Sequence, residues 1–318
     1  MGEFEVAIRV EQIVLGALYW GFRLEGERRT LFSLTNFYAL EYLPAIAQVP
    51  EPESTCRALL EHVARERPRW HALRLSMMPA QAAATQWTLR QLGGFGFRLH
   101  LFFQYENWYA LCTEEGFESY YAKRPSQLRN TIARRQKKLE RAHSFRVQIV
   151  RDASPELNGM VSDFVAVYGT SWKQPEPYPD FIPALAGQCA ALGILRLGVL
   201  YVDAAPAAAQ LWITANRKAT IYKLAYDEKY AEFGVGSILS RELFRIAMDE
   251  DRVTEIDYGV GSEPYKKDWM SSVRRIEGVH ALNSHTAMGL IWGAIETAKA
   301  ALKPWLGAGP QRPAEPAP

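Results

Sequence analysis

The residue spacing with the clearest chemical meaning is Gly234-Val235-Gly236-Ser237, which lies between a predicted strand and an amphipathic helix. Glycine lets backbone N–H groups approach an anion closely, and the first turn of a helix adds unpaired donors and a partial positive charge. This combination suits a pyrophosphate. The chain has no Gly-Lys-Ser/Thr sequence here, which excludes a P-loop, and a preceding strand that belongs to a meander disfavours a dinucleotide-binding fingerprint.

The elements around this turn decide between an anion site and an ordinary glycine turn before a helix. Three predicted strands at 194–202, 208–215 and 220–225 are separated by short turns, so they form an antiparallel meander. A helix over 238–248 then leads to a strand at 254–258, which must lie parallel to the last meander strand. A lone G-x-G favours the ordinary turn, but the meander before it and the parallel strand after it favour the anion site.

The order strand, two helices, meander, helix, strand, loop, strand is that of the GNAT acetyltransferase fold. Several segments, together with the glycine turn, resemble the FemAB-like, CelD/BcsL-type GNAT acetyltransferases. They are Tyr226-Asp227-Glu228-Lys229-Tyr230, Asp257-Tyr258-Gly259 and Glu263-Pro264-Tyr265-Lys266-Lys267-Asp268-Trp269. The resemblance is strongest over 129–278. It extends more loosely over the N-terminal half, which in that family is a degenerate second unit.

The resemblance implies an α/β (α+β) fold, in which a mixed central sheet is flanked by helices. It also implies two GNAT-like units in tandem, of which the C-terminal one is complete. The predicted domains are a degenerate N-terminal unit (1–116), an acyltransferase domain with a basic linker helix at 117–143 (117–284), an amphipathic C-terminal helix (285–306) and a disordered tail (307–318). Pro125 either kinks the basic helix or divides it in two.

The donor implied by the resemblance is acetyl-CoA or another acyl-CoA, with its pyrophosphate on the turn formed by Gly234, Val235, Gly236 and Ser237. Ala231 departs from the general GNAT pattern, which has Arg or Gln at that position. One side-chain contact to the pyrophosphate is therefore missing. This weakens the choice of acetyl-CoA over another donor, while the backbone cradle is unaffected.

The catalytic candidates are Lys266, Asp257 and Glu263. Acyl transfer passes through a tetrahedral oxyanion that a fixed ammonium stabilises, and the matching lysine of FemAB-like transferases implies this part for Lys266. A solvated surface lysine is the equally weighted alternative. Asp257 or Glu263 could act as the base for the acceptor if burial raises its pKa, although capping or turn stabilisation is the favoured interpretation of Asp257.

The predicted acceptor-binding residues are Arg134, Arg135, Trp212, Tyr226, Tyr265 and Trp269. The two arginines belong to a basic stretch that could bind a phosphate-bearing acceptor or a transfer RNA, although a solvated face is the commoner reason for such a stretch. Trp212 and Trp269 could stack on a sugar, but core packing is favoured slightly. Tyr258 or Tyr265 could protonate a departing thiolate.

Composition limits the remaining possibilities. The net charge of +2 is too small to indicate a nucleic-acid or membrane partner by itself. The three cysteines and six histidines show no metal-ligand spacing, so no metal is expected. Charged residues near the N-terminus and the lack of a run of about 18 apolar residues predict a cytoplasmic protein. The C-terminal helix could associate peripherally with a membrane.

Three functions are consistent with these features. The first is transfer of an acyl group from acyl-CoA to an amino or hydroxyl group of a sugar-like or lipid-linked acceptor; the resemblance alone implies exopolysaccharide, cellulose or cell-envelope synthesis. The second is a Fem-type transferase that uses aminoacyl-tRNA as donor, the one case in which a nucleic acid is expected. The third is a non-catalytic GNAT-like partner of a polysaccharide synthase.

Overall fold

The computed structural model describes residues 10–13, 16–19, 22–24, 29–43, 45–46, 51–112 and 116–302. Contacts divide the chain into unit 1, which comprises 1–106 and 274–318, and unit 2, which comprises 107–273. The domain boundaries at 116/117 and 284/285 stay a prediction. The predicted tail at 307–318 lies outside the described residues, as does the end of the predicted C-terminal helix.

Unit 1 holds two groups of strands and, in its described residues, three helices. Its elements up to the passage into unit 2 are β1 (Val10–Ile13), β2 (Gly16–Tyr19), β3 (Phe22–Leu24), β4 (Thr30–Ser33), β5 (Ala45–Ile46), α1 (Pro52–Arg65), β6 (Ala72–Pro79), α2 (Ala83–Gly94) and β7 (Phe97–Leu111), which enters unit 2 at Asn107. Strands β1, β2 and β5 form a small antiparallel sheet. Leu60 of α1, Leu92 of α2 and Leu73 of β6 meet in the core of this unit.

Unit 2 continues the chain through alternating helices and strands. Its helices are α3 (Gly116–Ala122), α4 (Ser126–Ala142), α5 (Leu157–Gly169), α6 (Phe181–Ala191), α7 (Val235–Arg245) and α8 (Lys266–Trp269). Its strands are β8 (Phe145–Val150), β9 (Leu195–Val202), β10 (Ala205–Ala215), β11 (Lys218–Tyr226) and β12 (Glu255–Asp257). Then β13 (Ser272–Asn283) returns to unit 1, where α9 (Ala287–Leu302) follows. Pro125 therefore divides the predicted basic helix into α3 and α4.

The sheet of unit 2 has the strand order β7-β12-β11-β10-β9-β8. Strands β9, β10 and β11 form the predicted antiparallel meander, and β8 pairs with β9 in antiparallel orientation. The turn between β10 and β11 is tight because Asn216 and Arg217 both have left-handed backbone conformations, with φ of 50° and 60°, as a type I′ hairpin requires. Strand β12 pairs with β11 in parallel after the α7 connection, as the sequence predicts.

Two apolar cores cover the two faces of this sheet. On one face, Phe244 of α7, Leu139 of α4 and Trp212 of β10 pack together. On the other, Phe164 of α5 and Ala186 of α6 pack against the meander. A mixed α/β fold with helices on a mixed sheet, predicted from the sequence, is therefore confirmed. No helix in the described part of the chain is long and apolar enough to cross a membrane.

Candidate functional site

The turn that follows β11 presents free backbone donors at the start of α7. A short 3₁₀ segment (Glu228–Phe233) ends at Gly234, whose φ of +65° lies in the left-handed region that favours glycine. The amides of Ser237 and Ile238 donate to the Gly234 carbonyl at 3.0 and 3.1 Å. Within the described residues, the amides of Val235 and Gly236 donate to no protein acceptor. They and the positive end of α7 can therefore bind an anion.

Two side chains lie close to this turn and favour glycine there. A Cβ atom at Gly234 would lie 2.8 Å from Cδ and 3.4 Å from Nη1 of Arg135, which comes from α4. A Cβ atom at Gly236 would lie 3.3 Å from Cδ1 of Tyr226, the last residue of β11. The structure thus brings two predicted acceptor-binding residues, Arg135 and Tyr226, to the predicted donor turn instead.

The edge of β11 beside β12 is only partly paired. The two strands match at Lys218–Glu255, Ala219–Ile256 and Thr220–Asp257, and β12 ends there while β11 continues to Tyr226. Along residues 221–226, strand β12 no longer runs beside β11. An extended ligand that contains amide groups can therefore approach this edge.

Asp257 is a buried carboxylate at the end of β12, with 5% of its surface exposed. Its Oδ1 accepts hydrogen bonds from the Asn107 side chain and the Gly259 amide, both at 2.7 Å. Its Oδ2 lies 2.9 Å from the ammonium of Lys218. The carboxylate thus fixes the start of the loop after β12, which agrees with the turn-stabilising interpretation. Its role as the base stays a prediction.

Lys266 opens α8 and is 3% exposed, which does not fit a solvated surface lysine. Its Nζ donates to the carbonyls of Val260 at 2.6 Å and Gly261 at 3.2 Å, and it pairs with Glu263 at 2.8 Å. Burial lowers the pKa of Lys266, and the Glu263 carboxylate opposes this shift. An ammonium has three N–H donors and all three are engaged, so contact with an oxyanion requires the release of one partner. The oxyanion role of Lys266 stays a prediction.

Glu263 is the partner that Lys266 could release most readily, because 52% of its side chain is exposed. Burial alone would raise the pKa of Glu263, but the hydrogen bond and charge of Lys266 outweigh this and hold the pKa below its usual value. The carboxylate is therefore ionised at neutral pH. Its assignment as the base stays a prediction.

Two tyrosines border the same loop. Tyr258 is buried, and burial raises its pKa well above the usual value; its ring lies 5.7 Å from that of Tyr265. Burial also raises the pKa of Tyr265, whose surface is 40% exposed. Both phenols are therefore protonated at neutral pH and able to donate a proton.

The remaining predicted acceptor-binding residues lie elsewhere. Trp212 has no exposed surface, and its indole N–H donates to Gln210 at 2.9 Å. Trp269 is 3% exposed and stacks on Phe244 at 4.8 Å. Neither indole offers a face to a sugar, which agrees with the core-packing interpretation. Arg134 lies on the exposed face of α4, in a shallow groove of about 750 Å³ with other basic side chains.

A group of side chains near the end of α5 and on β11 was not predicted from the sequence. Trp172 is 47% exposed, and its ring lies 4.7 Å from that of Tyr226. Lys223 of β11 pairs with Glu176 at 2.5 Å. The available signal was a lysine inside an otherwise largely apolar strand, where an unpaired charge is costly. Lys173, next to Trp172, belongs to the same group.

Comparison with known proteins agrees with the fold and with the position of this site. Residues 126–267 match the family model of the acetyltransferase (GNAT) domain, and this range contains the turn and Lys266. No curated protein matches the chain. No group of three or more His, Cys, Asp or Glu side chains in the described ranges could hold a metal ion.

Two solved structures have a similar fold. A conserved protein of unknown function from Bacteroides thetaiotaomicron is 13% identical, with a TM-score of 0.58 over 85% of this chain and 84% of that one. FemX is 10% identical, with a TM-score of 0.58 over 88% of this chain and 87% of that one. At these identities the likeness concerns the fold alone. The predicted GNAT-like fold is confirmed.

Proposed function

We propose that unit 2 transfers an acyl group from an acyl-CoA to an amino or hydroxyl group of a second substrate. The observation that carries the proposal is the pair of free amides at Val235 and Gly236. They lie at the start of α7, next to the open edge of β11 and inside the range that matches the GNAT family model. A pyrophosphate joined to an arm with amide groups is the ligand that fits both features.

The donor contacts follow from the local geometry. The pyrophosphate binds the amides of Val235 and Gly236, and the amide-containing arm of the coenzyme lies along β11. Arg135 supplies a positive charge that Ala231 does not, because its side chain from α4 packs on Gly234. The ion pair between Lys138 of α4 and Glu232 of the 3₁₀ segment helps to hold this arginine in place.

The transfer step needs an electrophile, a stabilised oxyanion and a proton for the leaving group. The acceptor nucleophile attacks the thioester carbonyl carbon and gives its proton to the ionised Glu263 carboxylate, and the tetrahedral oxyanion then collapses with cleavage of the C–S bond and expulsion of the coenzyme A thiolate. Lys266 can stabilise the oxyanion once Glu263 moves away from it. The protonated phenol of Tyr265 lies in the same loop and can protonate the thiolate.

A sugar-like acceptor is the finer part of the proposal, in polysaccharide or cell-envelope synthesis. Its structural support is the half-exposed ring of Trp172 beside Tyr226, because exposed aromatic faces stack on sugar rings. The proposed acceptor position is therefore beside Trp172, in place of the predicted positions at the buried Trp212 and Trp269.

Calorimetry with a series of acyl-CoA thioesters tests the proposal. We expect saturable binding to the wild-type protein and a loss of affinity of at least about 100-fold in Gly236→Trp, because the side chain fills the phosphate site. The matched control is Gly159→Trp, at an exposed helical glycine with nothing within 4 Å of its Cβ position. Absence of saturable binding to every thioester, or equal binding by Gly236→Trp, contradicts the proposal.

A second candidate is an aminoacyl-tRNA-dependent transferase. The observation that favours it is the exposed basic face of α4, which contains Lys137, Lys138 and Arg141. Incorporation of a labelled amino acid that requires charged tRNA, with no acyl-CoA binding, would select this candidate. Lys137→Glu should then abolish the transfer, whereas an acyl-CoA-dependent activity should tolerate this change.

A further inference from the structure

A group of partly buried ionic side chains in unit 2 has more cations than anions. Lys223 pairs with Glu176 at 2.5 Å, and these side chains are only 16% and 12% exposed. Lys266 pairs with Glu263 at 2.8 Å. Lys173 is the fifth member, since the charges of all four residues act on its ammonium. Within these five residues, three ammonium groups face two carboxylates.

Lys173 is the member without a partner of its own. In the described part of the chain its ammonium forms no ion pair or hydrogen bond, and its recorded contact is with the ring of Trp172, at 5.5 Å. Burial lowers the pKa of Lys173; the charges of Lys223 and Lys266 add to this shift, while those of Glu263 and Glu176 oppose it. A partly desolvated cation without a counter-ion is unfavourable unless a ligand supplies the anion.

The position of Lys173 relates it to the acceptor. The neighbouring Trp172 contacts Tyr226, which in turn lies against Gly236 of the donor turn. On its other side, Lys173 is within electrostatic reach of Lys266 and Glu263. Lys173 therefore lies among side chains that connect the end of β11 with the loop that holds Lys266. The pyrophosphate of the proposed donor already has the free amides of the turn, so an anion at Lys173 would come from the second substrate.

We propose that Lys173 binds an anionic group of the acceptor, a phosphate or a carboxylate, while the exposed face of Trp172 contacts the adjoining ring. This assignment rests on the proposed function, because it defines the acceptor side of that site. The bound anion gives the Lys173 ammonium a counter-ion. The neighbouring Lys223 and Glu176 pair with each other, so neither side chain competes with Lys173 for the ligand.

Side-chain NMR of lysines in the full chain tests the assignment, with the Lys173 Nζ resonance identified by its loss in Lys173→Arg. Inorganic phosphate and sodium acetate are titrated separately, with and without saturating coenzyme A. We expect a saturable shift of Lys173 with at least one anion, and the arm that responds identifies phosphate or carboxylate. Lys299, whose side chain is 67% exposed and paired with Glu296, should show no saturable shift.

Variants complete the test. Lys173→Gln should weaken binding of the responding anion at least about 10-fold, whereas Lys173→Arg should stay within about 3-fold of wild type because it keeps the charge. Lys267→Gln, at the exposed neighbour of Lys266, is the control. If Lys173→Gln fails to fold, the wild-type titrations decide alone.

Three results would overturn the assignment: no saturable response of Lys173 to either anion, equal anion affinity in Lys173→Gln, or loss of the response when coenzyme A is bound. The last result would assign the cation to the donor. A failure of the proposed function has a different signature. The wild-type protein would then bind no acyl-CoA, while Lys173 would still respond to the anion.

Discussion

The two segments that follow the parallel strands β11 and β12 achieve their shapes in different ways. The turn after β11 is shaped by backbone, with a left-handed Gly234 and a Gly236 pressed by Tyr226. The loop after β12 is shaped by buried polar side chains, chiefly Asp257 and Lys266. In the turn, donors remain free; in the loop, both charged groups already have partners in the chain.

The turn and the loop should therefore contribute differently to ligand binding and to the stability of the folded chain. Substitutions in the turn should weaken ligand binding and cost no more stability than the same backbone change at another left-handed glycine, because the free amides contribute nothing to the folded chain. Substitutions in the loop should lower the free energy of unfolding, because they leave buried partners unsatisfied. The following variants test this difference between the turn and the loop.

The largest effect is expected for Asp257→Ala. The variant removes the acceptor of the Gly259 amide, one acceptor of the Asn107 side chain and the nearer carboxylate of Lys218, which should lower the free energy of unfolding by about 3–5 kcal/mol. Urea unfolding measures this loss. The control is Asp227→Ala, which removes an acceptor for the Lys229 amide and should cost about 1 kcal/mol. A smaller loss in Asp257→Ala than in the control would show that the loop does not depend on this carboxylate.

Lys266→Met should have the next largest effect. It removes the donor of two loop carbonyls and of Glu263, so we expect a loss of about 2 kcal/mol in urea unfolding. Lys267→Met, at the exposed neighbouring position, should cost less than about 0.5 kcal/mol. If Lys266→Met unfolds like wild type and loses only acyl transfer, the ammonium is a catalytic group that the loop does not need.

Gly234→Ala and Gly193→Ala form a matched pair for the turn. Both glycines have positive φ, 65° and 70°, so each alanine should cost about 1–2 kcal/mol of stability. Only Gly234 has Arg135 against its Cβ position, whereas Gly193 has nothing within 4 Å. Calorimetry should therefore show a loss of acyl-CoA affinity of about 10-fold in Gly234→Ala alone. Equal affinities in the two variants would remove Arg135 from the donor site.

The smallest effect concerns the pH dependence of the Lys266–Glu263 pair. The pKa of Glu263 is lowered in the folded state, so its contribution to stability is present above the unfolded pKa of about 4.3 and is lost as the pH falls through the folded value. The Tm of wild type should exceed that of Glu263→Gln at pH 6, and the difference should shrink toward pH 3. A Tm difference that grows with acidification would contradict the lowered pKa.

The sequence allowed the meander, the parallel strand and the glycine turn to be predicted, because each depends on neighbours in the chain. Short turns such as that at Asn216 and Arg217 determine strand direction locally. The loop after β12 could not be predicted to the same depth. Asp257 finds a partner 150 residues away at Asn107, and nothing in the local sequence indicates that pairing.

Burial explains the other differences between the sites predicted from the sequence and those found in the structure. The sequence leaves Lys266 equally consistent with a surface position and a site position, because lysine is usually exposed. Its burial depends on carbonyl groups of its own loop. Trp212 and Trp269 have the residue type of a stacking site, but the packing of α7 covers them. Trp172 and Lys173 were not predicted because Tyr226 and Glu263, the residues that lie near them, are distant in sequence.

The backbone amides of Val235 and Gly236 report directly on whether the donor binds at the turn. Amide ¹⁵N–¹H spectra of the full chain should show saturable downfield proton shifts for Val235 and Gly236 on addition of acetyl-CoA, with the same Kd as calorimetry. Amides that donate to an anion shift in this direction because their N–H bonds become polarised. Binding of acetyl-CoA with both resonances unchanged would place the donor elsewhere and contradict the account.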